Sequence, residues 1–77
     1  MANQLPQIKS NLAHAITARR KSLGISQEKL ALEAEVDRTY VSQLEREIAN
    51  PSLATLCKIA EVLQCDLQTL LTKSDPK

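Results

Sequence analysis

Apolar residues recur at helical spacing from the start of the chain, with Ile8, Leu12 and Ile16 each one turn apart on a single face that Arg20 continues. Pro6 suits the first turn of such a helix and Gly24 supplies its stop, so the pattern predicts a first helix over roughly 6–22. Ser26 precedes Gln27, Glu28 and Lys29, where its hydroxyl can cap a short second helix with the inward stripe Leu30, Ala31 and Ala34. That helix is predicted to end near Ala34. Asp37 offers a carboxylate cap to a third helix reaching about Glu47, with Val41, Leu44 and Ile48 inward. Asn50-Pro51 breaks the pattern, because the residue before proline is driven out of the helical region. Ser52 then caps a fourth helix from Leu53 to about Leu63. Its predicted apolar face is Leu53, Leu56, Cys57, Ala60 and Leu63, flanked by Ile59, with Val62 well off the stripe. Asp66 caps a last short helix carrying Leu67, Leu70 and Leu71, and residues 73–77 have the composition of a frayed tail. With no alternating strand-like stretch, the expectation is an all-α chain of five helices.

Composition narrows this picture. Seventy-seven residues allow one domain, its core about 6–72, and a core so modest that folding depends on close packing or on a second copy. An apolar share of 43% is enough for a globular core and too much for a disordered chain. Tyr40 is the only aromatic residue, which argues against modules that stack unpaired bases on exposed rings. Cys57 and Cys65 lie in apolar helical contexts without metal-ligand spacing, and read as reduced core residues, not as a disulfide or a zinc site. No apolar run is long enough to span a bilayer and no secretory pattern opens the chain, so a cytoplasmic protein is expected. A formal net charge of +1 is a weak footprint for a partner as acidic as a nucleic acid.

The informative stretch runs from Gln27 to Arg46. It predicts two short helices joined too tightly to lie side by side, so they must cross steeply, as a helix-turn-helix requires. Ala31 is small where the helices cross, while Leu30, Val36, Val41 and Leu44 face the core. On the third helix, Thr39, Ser42, Gln43 and Arg46 fall opposite Val41 and Leu44, with Arg38 at the border. That polar face is free to enter a major groove.

The residues Arg20 with Leu23-Gly24-Ile25-Ser26-Gln27, then Asp37 through Arg46, then Asn50-Pro51-Ser52-Leu53, resemble the Cro/phage-repressor (XRE-type) helix-turn-helix family. Within it the likeness is closest to the controller proteins of restriction-modification systems, and it covers roughly Leu12 to Leu71. The resemblance implies a five-helix, lambda-repressor-like DNA-binding domain acting as a homodimer on a near-palindromic operator in double-stranded DNA. It places Arg38, Thr39 and Gln43 at base edges, with Ser42 a second-rank reader. Gln27, Arg46, Asn50 and the Tyr40 hydroxyl fall where the family holds phosphates. Arg20 and Glu45 fall where it joins the first helix to the third by an ion pair. Glu35, Glu47 and Gln64 stand where such domains often place glycine in a left-handed turn, at a cost of roughly 1 to 2 kcal/mol each.

Other residues carry plainer readings. His14 is a surface or boundary residue, and Arg19, Arg20 and Lys21 form a basic run read as a solvated helix end that complements the macrodipole, with phosphate contact the alternative. Glu33 and Glu35 are solvated acids, and nothing assembles a nucleophile, base and oxyanion donor, so an enzyme is not expected. No cofactor, metal or small-molecule ligand is indicated. Val62, Leu67, Leu70 and Leu71 leave apolar surface after the core is filled, which is read as the dimer interface. RNA polymerase is a further partner if the bound dimer touches it. The alternatives are a phage-type repressor, an antitoxin regulator, or a helical protein-interaction module without DNA binding.

Overall fold

The computed structural model describes residues 5–71; the expected frayed tail, 73–77, lies outside them. Five helices follow one another: α1 (Leu5–Ser22), α2 (Gln27–Ala34), α3 (Arg38–Glu45), α4 (Leu53–Val62) and α5 (Leu67–Leu71). Three of them start on the expected caps. Ser26 Oγ accepts from the Lys29 amide at 2.9 Å, Asp37 Oδ1 from the Thr39 amide at 3.4 Å, and Ser52 Oγ from the Thr55 amide at 3.1 Å.

The helix ends share one device. After α1, α2, α3 and α4 a single residue turns left-handed: Gly24 (φ 72°), Glu35 (φ 60°), Glu47 (φ 64°) and Gln64 (φ 60°). Each turn lets the next amide reach back five residues. Ile25 donates to the Arg20 carbonyl at 3.2 Å, Val36 to Ala31 at 2.9 Å, Ile48 to Gln43 at 2.8 Å and Cys65 to Ala60 at 3.0 Å. The closure satisfies carbonyls that a helix end would otherwise leave open. Glycine adopts this conformation without steric cost, whereas the two glutamates and the glutamine carry a Cβ into it.

Around the resulting bends, α1 packs on α3 and α5, α2 on α3 and α4, and α4 on α5. The shared core holds Leu12, Ala15 and Ile16 of α1, Leu30, Ala31 and Ala34 of α2, and Val41 and Leu44 of α3. Leu56, Ile59, Ala60, Leu63 and Leu70 complete it. Among the described residues no helix is long and apolar enough to cross a membrane.

Several expectations need correction. The third helix stops at Glu45, because the left-handed Glu47 turns the chain away, and Ile48 leaves the inward stripe with half its surface exposed. In α4 the buried set is Leu56, Ile59 and Ala60, continued by Leu63 at its C-cap, with spacing i, i+3, i+4, i+7. Ile59 is therefore central, Leu53 is 66% exposed, and Cys57 faces solvent. Neither cysteine is a core residue: both are free thiols, with Cys65 half-buried. Burial pushes the Cys65 thiol up, against the nearby Arg19 charge. Arg19 itself is not a solvated end. Its Nε donates to the Leu63 carbonyl at 2.8 Å and a terminal nitrogen to Gln64 at 3.2 Å, so α1 caps the end of α4.

Candidate nucleic-acid interface

Val41 and Leu44 are buried, and their burial sets which side of α3 points outward. Arg38 and Thr39 are exposed on that side, and Ser42 and Gln43 are half-buried beside them. Of the face expected to read base edges, the chain itself leaves Arg38 and Thr39 uncovered and covers part of Ser42 and Gln43. Two further expected contacts follow the helix. Arg46 lies just past the last helical turn, exposed, at φ −98° and ψ 7°. Asn50 is exposed in the segment that leads to α4.

Behind this face lies a polar network. Arg20 Nε donates to Glu45 Oε2 at 2.7 Å and a terminal nitrogen of Arg20 to Oε1 at 3.0 Å, a two-pronged pair between α1 and α3. The other terminal nitrogen of Arg20 holds the Ile25 carbonyl at 3.0 Å. The side chains are only 12% and 7% exposed. Burial opposes ionisation of Glu45, but hydrogen bonds from Arg20, Gln27 and Thr17 and the Arg20 charge outweigh it and hold the carboxyl below the usual range. The same hydrogen bonding raises the Arg20 guanidinium further.

Gln27, expected at a phosphate, belongs to this network. Its Nε2 donates to Glu45 Oε1 at 3.0 Å. Sequence spacing carries no sign of that bond, since the partners lie on different helices and both residue types are common on solvated faces. Tyr40, expected to lend its hydroxyl to a phosphate, packs partly against the core and beside Thr55 of α4. Burial pushes its hydroxyl up, ahead of the opposing contact with Thr55, and the group stays a hydrogen-bond donor at neutral pH.

The expected dimer surface is reduced. Leu70 is fully buried in the chain's own core and has no surface to give a second copy. Val62, Leu67 and Leu71 are half-buried and pack against that core, each keeping an outer edge. An apolar hollow of about 280 Å³ lies between α1 and the start of α4, with Ile8, Pro51, Leu53 and Leu71 among its walls.

The helix-turn-helix family model HTH_3 matches residues 16–70 of the chain. The control protein C.SmaI of Serratia marcescens is 36% identical over 70 residues, which make up 91% of this chain and 83% of that protein. Among solved structures, a hypothetical transcription factor from Neisseria superposes with a TM-score of 0.84 at 36% identity, over 88% of this chain and 79% of that one. The restriction-modification controller protein C.AhdI from Aeromonas hydrophila gives a TM-score of 0.77 at 32% identity, over 80% and 94% of the two chains.

Proposed function

Since the chain belongs to the HTH_3 helix-turn-helix family, we propose that it is a transcriptional regulator that binds double-stranded DNA in a sequence-specific manner, in the manner of a restriction-modification controller. One observation carries the reading most directly. Arg38 and Thr39 stand uncovered on α3, beside Ser42 and Gln43, while Val41 and Leu44 anchor the opposite side of the same helix.

Each outward residue has a use there. The Arg38 guanidinium can donate two parallel bonds to guanine O6 and N7, the Thr39 methyl can pack on thymine, and the Gln43 amide can pair with adenine. Ser42 supplies a weaker contact. Arg46 and Asn50 follow α3 and meet the phosphate backbone, which fixes register without selecting sequence. Tyr40 adds its hydroxyl and Gln27 its amide.

A net charge of +1 leaves one copy with little general attraction for a duplex. Two copies related by a two-fold axis double the phosphate contacts and place their α3 helices in successive major grooves, about 34 Å apart. The exposed edges of Val62, Leu67 and Leu71 are the surface through which the copies associate. Occupancy then regulates: the dimer represses where it blocks polymerase and activates where it touches it.

Selection of bound duplexes from a random pool tests the reading. A near-palindromic consensus is the expected result. A pool that stays random after repeated rounds would overturn it in favour of a protein-interaction module.

A further inference from the structure

We infer that Glu45 is a positioning residue for the phosphate contact at the start of α2: its carboxylate, clamped by Arg20, holds one N–H of the Gln27 amide and so aims the other outward. The inference rests on the proposed DNA binding and deepens it, since Glu45 itself would touch no nucleotide.

Three observations lead to it. First, Glu45 Oε1 accepts from both Arg20 and Gln27, each at 3.0 Å, while Oε2 accepts from Arg20 at 2.7 Å. The carboxylate cannot swing away from Gln27 without breaking its pair with α1. Second, the Glu45 side chain is 7% exposed, and Gln27, which begins α2, keeps part of its surface in solvent. Third, the chemistry sets the orientation of the amide. A carboxylate repels the Gln27 carbonyl oxygen and attracts its NH2 group, so nitrogen must face Glu45. Nitrogen carries two hydrogens about 120° apart, and Glu45 takes one of them.

The remaining N–H is a donor held in place before any partner arrives. Glutamine otherwise loses much rotamer freedom on binding, and fixing the side chain beforehand removes that cost from the association. Glu45 is also the last residue of α3. The contact at α2 is therefore set in register with the helix that reads bases, through one carboxylate.

The test is a double-mutant cycle, read as affinity for a random-sequence duplex at low salt, because loss of a phosphate contact weakens binding to all sequences alike. The variants are Gln27→Met, Glu45→Gln and both together, at a temperature where circular dichroism shows the native helical signal. Gln27→Met is expected to bind about tenfold more weakly, the scale of one hydrogen bond to a charged group. Glu45→Gln should lose a similar factor, and the double variant no more than about twofold beyond either single one. A purely structural Glu45 would lower the melting temperature yet leave the Gln27→Met loss the same in both backgrounds, and that additive result overturns the inference. So does a Gln27→Met protein that binds like the wild type. Should Glu45→Gln fail to fold, Gln27→Asn keeps the Arg20 pair and an amide but is one methylene too short to span both partners. It is expected to match Gln27→Met, and wild-type affinity would overturn the proposal. A wild-type protein that binds no duplex would instead bring down the DNA-binding reading itself.

Discussion

Arg19 reaches from α1 to the Leu63 carbonyl at 2.8 Å, so the C-terminal end of α4 is closed by a side chain that lies 44 positions earlier in the chain. The charge also opposes the negative end of the helix dipole. Replacing Arg19 with Met keeps the aliphatic stem and removes the donors. We expect a loss of about 1 to 2 kcal/mol in denaturant unfolding. Affinity for the selected duplex should stay unchanged well below the melting temperature, because Arg19 faces α4 and not α3. A weakened duplex affinity in the folded variant would show that Arg19 also serves the interface.

Left-handed Glu35, Glu47 and Gln64 should each tolerate glycine. Removing Cβ relieves roughly 1 to 2 kcal/mol of steric cost, and the extra freedom of the unfolded chain takes back about 0.5 to 1 kcal/mol. The expected net gain is about 0.5 kcal/mol per site. Gly24→Ala should go the other way by about 1 kcal/mol, and through backbone conformation alone, since a Cβ there meets no atom within 4 Å. Melting curves of the four variants check the pattern. Stabilisation by Gly24→Ala would contradict it.

Acid should weaken the molecule partly through Glu45. Its folded carboxyl lies below the ordinary glutamate value of about 4.3, so the stability it contributes is complete above that value. It is lost as the pH falls from there through the lowered folded value. Urea midpoints measured from about pH 6 to pH 3 should therefore drop more steeply in the wild type than in Glu45→Gln. Parallel profiles would remove Glu45 from the acid response.

Arg38→Ala should lose about 1 to 3 kcal/mol of discrimination at one base pair in each half-site, while affinity for random duplex changes little. Repeating the duplex selection with the variant measures this directly. An identical consensus would show that Arg38 reads no base.

Leu70→Ala should cost about 2 to 5 kcal/mol as a core truncation, and Leu70→Asp should unfold the chain. Association must be tested at an outer edge instead. Leu67→Lys can lay its stem over the core and put its charge in solvent, so a folded monomer by sedimentation is the expected result. An unchanged dimer would take Leu67 out of the association surface.

Much of this architecture could be read before any coordinates because its signals are local. The Ser26, Asp37 and Ser52 caps, the Gly24 stop and the stripe Leu30, Ala31 and Ala34 each rest on neighbours within one or two turns. Ile48 differs because the helical period is carried past the end of α3, and Leu53 and Cys57 differ because the α4 stripe centres on Ile59. Left-handed Glu35, Glu47 and Gln64 have no residue-type signature, and only the resemblance marked them. The outward set on α3 followed from Val41 and Leu44 alone, whereas the Arg19 clamp and the Gln27 bond join distant helices through partners that leave no pattern. Leu70 was misplaced for a related reason: a short helix does not reveal how many of its leucines the core consumes.

Glu35 and Glu47 stand at the two turns on either side of α3, both solvent-exposed, and each adds a negative charge next to the surface that would meet a polyanion. Such charges oppose every duplex equally, whatever its bases. If α3 meets a duplex as proposed, these charges would shorten the dwell on mismatched sites and leave residence on the matched one to base contacts. On that reading, turns that glycine would have formed with less strain would disfavour indiscriminate binding to any duplex.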